Sequence, residues 1–190
     1  MNKEDLDLNL IRELIEQQDA EKLKELLSGM HPADIAELCD ELDVEEAQFI
    51  YQQMDNETAA DVLIEMDEDA QKDFLETLPS ETIAKKFVDY MDTDDAVDII
   101  REMDEEKQEE ILSHIEDIEQ AGDIVDLLKY DEDTAGGLMG TEMVIVKENW
   151  SMPECLREMR IQAEEMDEIY YVYVVDDEER LRGVFPLKRM

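Results

Sequence analysis

A chain of 190 residues with 43% hydrophobic side chains can bury the cores of one or two domains, and its 56 acids against 17 bases leave a formal charge of −39. That surface repels phosphate backbones and anionic lipid heads and attracts cations or basic partners, which argues against nucleic-acid binding. Two well-separated cysteines, Cys39 and Cys155, argue against a disulfide scaffold and fit a reducing cytosol. The stretch Met1 to Leu10 lacks the apolar core of a signal peptide, and the longest apolar run, Ile169 to Val175, is far short of a membrane span.

In chain order, Leu6–Gln18 reads as an amphipathic helix and Glu21–Ser28 as a second, capped by Asp19 and stopped by Gly29, with Pro32 suited to the first turn of the next. From Pro32 to Glu116 the sequence repeats. Closing pairs stand at Leu42-Asp43, Met54-Asp55, Met66-Asp67, Leu78-Pro79, Met91-Asp92, Met103-Asp104 and Ile115-Glu116, twelve residues apart except for one step of thirteen. Three and four residues before each closing residue the side chains are apolar throughout, from Leu38 and Cys39 to Ile111 and Leu112. Seven before, they are apolar except at Gln71 and Gln108. Spacings of 3, 4 and 7 mark one stripe of a helix, and the acid or proline after each stripe starts the next helix. Seven short helices cannot each bury a stripe alone, so they must stack into an α-helical solenoid. This stretch holds 29 acids and five bases, most of the net charge.

Glu119–Tyr130 reads as one more helix. Asp131 to Met139, with adjacent Gly136 and Gly137, breaks the rhythm, since glycines allow backbone conformations that other residues resist. Beyond it Met143–Val146 reads as a strand. Met152–Met166 reads as a helix opened by the capping box Ser151–Glu154, with Pro153 in its first turn. Ile169–Val175 reads as a buried strand, Asp176–Glu179 as a turn, and Leu181–Pro186 as a second strand of the pair. The two units are thus a helical superhelix over 1–130 and a small α/β module over 141–190, joined by a Gly-Gly linker over 131–140.

Motifs for catalysis are missing: no zincin helix, phosphate-binding loop, dinucleotide fingerprint, serine elbow or EF-hand occurs. His31 precedes Pro32 at a helix start and His114 sits in a last helical turn, so both read as structural, and the chain does not read as an enzyme. The acids can hold a hard divalent cation: Mg²⁺ keeps several waters and needs one or two carboxylates. Asp94 and Asp98, four apart, share a helix face, and Asp61 occupies the same phase of its own repeat as Asp98.

Three segments sharpen this reading: His31-Pro32-Ala33-Asp34-Ile35-Ala36-Glu37-Leu38, Asp133-Thr134-Ala135-Gly136-Gly137-Leu138-Met139, and Ile169 to Asp176. In that order they resemble the cytosolic part of the MgtE family of magnesium transporters, over about Leu6 to Met190. The resemblance implies a mostly α chain, a right-handed-type superhelical solenoid of short helices followed by a small α/β CBS-type half-module. It also implies a Mg²⁺-sensing regulatory region on the cytoplasmic face of the membrane, in which bound Mg²⁺ favours the closed state of a pore. In the full-length family pattern this region dimerises through CBS domains and acts on a transmembrane pore domain in cis. The second CBS motif, connecting helix and membrane helices have no counterpart here, so the chain is expected to be soluble and a fragment or truncated relative. Carried over motif by motif, the metal ligands fall on Asp61, Asp94 and Asp98, with Asp95 as a near neighbour and Gly137 offering a carbonyl. Family nucleotide binding would need an acid where Arg189 stands, and Tyr170 is read as a core residue rather than a base platform. The competing reading is an acidic helical-repeat interaction scaffold for basic partners.

Overall fold

The computed structural model describes residues 8–163, 166 and 169–187, and the chain divides into two compact units, Met1–Met139 and Gly140–Met190. The first unit is helical: α1 Leu8–Glu16, α2 Ala20–Leu27, α3 Pro32–Asp40, α4 Val44–Tyr51, α5 Asn56–Ile64, α6 Glu68–Glu76, α7 Ser80–Lys86, α8 Thr93–Arg101, α9 Glu105–His114 and α10 Ile118–Leu127. The expected start of the first helix at Leu6 lies outside the described residues. The thirteen-residue step is absorbed after α7, where a single 3₁₀ turn, Val88–Tyr90, carries the extra residue.

The caps follow the acids. Asp43 accepts from the Glu46 N–H at 2.9 Å while Glu46 accepts from the Asp43 N–H at 3.1 Å, a reciprocal capping box. Asp55, Asp67 and Asp104 accept from Thr58, Asp69 and Lys107 N–H groups. Pro79 and Asp92 occupy N-cap positions with no side-chain cap bond. The last start falls one residue later than the repeat suggests: Asp117, not Glu116, caps α10, accepting from Glu119 and Gln120. The shorter aspartate fits the cap better, and the Glu116 N–H is already donated to Asp89 at 3.1 Å. Gly29 also departs from expectation, because no described glycine has a positive φ; the helix simply ends at Ser28.

The apolar stripe is the core. At three and four residues before each closing side chain every position is buried apart from half-buried Leu112. Gln71 and Gln108, the two polar exceptions on the stripe, are resolved by hydrogen bonding: their amides donate to Leu63 O at 2.7 Å and Met103 O at 2.9 Å. Each adds a donor to a carbonyl at or just past the end of the preceding helix. Tyr51, Phe74 and Phe87 cluster with ring centroids 4.5 to 6.1 Å apart, and the Tyr51 hydroxyl donates to Met66 Sδ at 3.0 Å. Burial pushes the Cys39 thiol up to about 12, which keeps it unreactive.

After α1, which packs on α2 and α4, the helices pack chiefly on the helix two away: α3 on α5, α5 on α7, α7 on α9, α4 on α6 and α8 on α10. The scarce bases add longer links, from α7 to the end of α4, from α9 to the end of α6, and from α8 to the segment just past α10. Lys86 Nζ donates to Tyr51 O and Lys107 Nζ to Leu75 O, both at 2.7 Å, and Arg101 reaches Tyr130 O at 3.2 Å. Each reaches the C-terminal end of a different helix, where free carbonyls and the helix dipole favour a cation. Asp40 and Asp89 make the mirror-image contact, accepting from the backbone N–H of Asp67 and Glu116, 27 residues on in each case.

The second unit has β1 Val144–Lys147, α11 Met152–Gln162, β2 Tyr171–Val175 and β3 Leu181–Pro186, in the sheet order β1-β2-β3. β1 runs parallel to β2 and β3 antiparallel to it. Glu154 accepts from the Ser151 N–H and hydroxyl at 2.7 and 2.6 Å, opening α11, which ends at Gln162 with Ala163 as its C-cap rather than running on to Met166. The buried Asp176 forms the β2–β3 turn by accepting from Glu178 N–H, Arg180 N–H and Arg180 Nε. Val144, Val146 and Val172 pack with Cys155 and Met159 of α11. Ile145, Tyr171 and Val184, on the other face, are exposed. The tyrosine strand is therefore half-buried rather than buried, and Tyr170 is 60% exposed, not a core residue. Arg189 lies outside the described residues.

Phe74→Ala is expected to lower the unfolding free energy by about 3–5 kcal/mol, because a fully buried ring leaves a cavity. Lys107→Met is expected to cost about 1–2 kcal/mol by removing the charged donor from the Leu75 carbonyl, which keeps the Leu78 N–H at 3.2 Å. Urea unfolding followed by far-UV circular dichroism measures both.

Candidate metal centre

The sequence of α8 sets its orientation. Ala96, Val97, Ile99 and Ile100 are buried, which leaves Asp94 and Asp98 on the outward face one turn apart. Asp94 and Asp95 lie in the first turn and Arg101 in the last, the charge order that suits the helix dipole. Asp94 and Asp95 are half-buried and Asp98 is exposed.

Asp98 is the electrostatic centre of this face. Loss of part of its hydration holds its pKa above the ordinary carboxylate range; the Arg101 guanidinium opposes that rise, and the negative charges of Glu132 and Asp94 add to it. Arg101 NH1 stands 3.4 Å from Asp98 Oδ1, while its NH2 donates to Tyr130 O. The same arginine thus joins α8 to the segment that follows α10.

That segment, 131–138, is a compact turn. Thr134 Oγ1 donates to Asp131 O at 2.7 Å, and the Gly137 and Leu138 N–H groups donate to Thr134 O at 3.0 and 3.2 Å. The glycines serve close approach rather than unusual dihedrals, since neither has a positive φ. A Cβ on Gly136 would fall 2.5 Å from the Tyr130 ring, and one on Gly137 would strike the backbone of Asp131 and Glu132. Glu132, in this turn, is near enough for its charge to act on Asp98.

Of the five residues singled out from the sequence, the fold gathers Asp94 and Asp98 on one helix face, with Asp95 in the same turn. Gly137 belongs to the turn that carries Glu132. Asp61 is half-buried on α5, whose chief partners are α3 and α7, so it stands in the other stack of helices. Glu132 went unnoticed in the sequence because nothing local ties it to α8; only the packing of α10 on α8 does. The donor set of carboxylates without sulfur or imidazole is the chemistry a hard divalent cation takes. His31 accepts from the Ala33 N–H at 3.3 Å as an N-cap, and His114 ends α9, both structural as read from the sequence.

An acidic helical-repeat unit followed by a CBS unit is the class of chain these features define: the CBS domain family matches residues 135–190, and no helix among the described residues is long and apolar enough to cross a membrane. The family described as the MgtE intracellular N domain matches residues 30–133, and the chain belongs to the MgtE family. It is 48% identical over 62 residues to the magnesium transporter MgtE of Thermus thermophilus and 43% identical over 70 residues to that of Enterococcus faecalis. Those matches span 14% and 16% of the relatives' own lengths. Two solved structures resemble it at 31% identity over 96% of this chain. One is the soluble part of a magnesium transporter (TM-score 0.80, 71% of that chain), the other the cytosolic domain of the Mg²⁺ channel MgtE in complex with ATP (TM-score 0.85, 74% of that chain).

Asp98, Asp40 and Asp89 all have raised pKa values, in each case chiefly through burial. A carboxyl whose pKa is higher folded than unfolded contributes stability that is complete below the unfolded value of about 4 and is lost as pH rises through the folded value. Acidification toward about pH 4, through the raised folded values, is therefore expected to add stability from these three groups and raise the melting temperature. Asp98→Asn should flatten part of that rise in a differential scanning calorimetry series. Gly137→Ala is expected to destabilise by about 1–3 kcal/mol, as the turn must shift to admit the methyl group.

Proposed function

We propose that this chain is the Mg²⁺-sensing regulatory region of a magnesium transporter, and that its acids bind Mg²⁺ from the cytosol to favour the closed state of the pore. The observation that carries this reading is the pair Asp94 and Asp98, one turn apart on the outward face of α8, on a chain of the MgtE family. Asp94 and Asp98 are the main ligands, with Asp95 adjacent, Asp61 contributing from α5 and Gly137 offering its carbonyl. The full-length protein would be a homodimer joined through its CBS domains, with a transmembrane pore in cis.

The physics is linkage. Clustered carboxylates repel one another in the compact arrangement, and a bound cation relieves that repulsion, so Mg²⁺ stabilises whichever arrangement brings the acids closest. Occupancy at a hundred times Kd adds about 2.7 kcal/mol to the state that binds. Of the bases between Pro32 and Glu116, Arg101 faces Asp98 and the others have partners elsewhere. Lys86, Lys107 and Arg101 each donate to a helix-end carbonyl, Lys72 lies near Glu102, and Lys85 pairs with Glu81.

Thermal unfolding across a MgCl₂ titration, against NaCl of matched ionic strength and CaCl₂, tests the reading. A saturating rise in melting temperature beyond the NaCl control is expected, and it should be lost in the Asp94→Asn/Asp98→Asn double variant. If NaCl reproduces the whole effect, the acids only repel one another, and the acidic solenoid is a scaffold for basic partners instead.

A further inference from the structure

Arg101, the one base in the sequence of α8, has two partners at once. NH1 lies 3.4 Å from Asp98 Oδ1 and NH2 donates to Tyr130 O at 3.2 Å. The exposures differ: the Arg101 side chain is 20% exposed and that of Asp98 66%. The guanidinium is thus anchored, while the carboxylate it faces stays open to solvent ions. Tyr130 in turn packs its ring against Gly136, in the turn that also carries Glu132.

From this geometry we infer that Arg101 is a built-in counter-cation of the Asp98 site, a positioning residue that competes with the divalent cation for Asp98 and couples its occupancy to the Tyr130–Gly137 turn. The inference rests on the Mg²⁺ reading above and concerns how that site is regulated. A cation that takes Asp98 displaces one of the two partners of Arg101. Arginine suits this role because its planar fork can bind a carboxylate and a carbonyl together and keeps its charge at any accessible pH. The competition sets the concentration at which the site fills. Without the guanidinium the site fills at lower Mg²⁺, and the turn loses its tie to α8 whether metal is bound or not.

The test uses the full chain with Arg101→Gln, Arg101→Lys and Lys22→Gln, each also combined with Asp98→Asn. Lys22 pairs with Asp19 beside α2, and its replacement by glutamine removes one charge elsewhere in the unit. Isothermal titration with MgCl₂ at fixed ionic strength is expected to show about fivefold or greater tightening for Arg101→Gln. Arg101→Lys should give a smaller gain and Lys22→Gln none. Asp98→Asn should erase the gain. Metal-free hydrogen exchange should show faster exchange over residues 130–138 in both Arg101 variants and not in Lys22→Gln.

Equal tightening by Lys22→Gln would mean that net charge alone sets the affinity, and it overturns the inference. Unchanged or weaker binding by Arg101→Gln, with Asp98→Asn still abolishing binding, overturns it too but leaves the Mg²⁺ reading standing. Wild-type binding by Asp98→Asn removes that reading, and the competition falls with it.

Discussion

The first unit depends on contact between helices two apart in the chain. Helices of seven to ten residues are too short to be stable alone. Each here buries a narrow stripe against the helix that follows its neighbour. Lys86, Lys107, Asp40 and Asp89 reach one helix further, joining α7 to α4, α9 to α6, α3 to the start of α6 and the turn after α7 to the start of α10, while Arg101 joins α8 to the segment after α10. Side-chain to backbone bonds of this kind cap groups that a short helix cannot satisfy within itself, so the helix ends and the stacking hold together.

This arrangement has an electrostatic consequence. Bases in a strongly acidic solenoid could have served as surface counter-ions, yet several are committed to helix-end carbonyls inside the stack. The outward carboxylates are left without full compensation. Asp98 shows the result most clearly: partly desolvated, flanked by Asp94 and Glu132, and balanced by Arg101. An acidic face that is costly to keep bare is one whose equilibrium a divalent cation can shift, which links the architecture of the solenoid to regulation by Mg²⁺ as proposed.

Much of the fold was legible along the chain. The twelve-residue period, the capping aspartates and the Ser151–Glu154 box are local features, and local chemistry decided them: an aspartate can cap only N–H groups within the next three residues. The misreadings were of another kind. Gln71 and Gln108 stand out as polar exceptions in the stripe, because the carbonyls they serve lie at the end of α5 and in the loop before α9. The glycine pair looked like a request for unusual dihedrals, whereas it provides room for the Tyr130 ring and the backbone of Asp131 and Glu132. The tyrosine strand looked fully buried, because its composition does not tell whether one face of a sheet is covered or two.

The candidate site divides along the same line. Four-residue spacing on a helix was enough to pair Asp94 with Asp98, since helical geometry depends only on sequence separation. Glu132 and Tyr130 could not be assigned to that face from the sequence, because about thirty residues separate them from Asp98 and only the packing of α10 on α8 brings them near. Asp61, alike in repeat phase, went to a different stack, because alternate helices of the solenoid pack in separate series. The amino-acid sequence by itself determined the helices, their caps, the stripe they bury and the acidic character of what remains. The tertiary structure alone decided that Glu132 and the Tyr130 carbonyl come to the face where Asp94, Asp98 and Arg101 already stand by their spacing, because that contact depends on packing between helices.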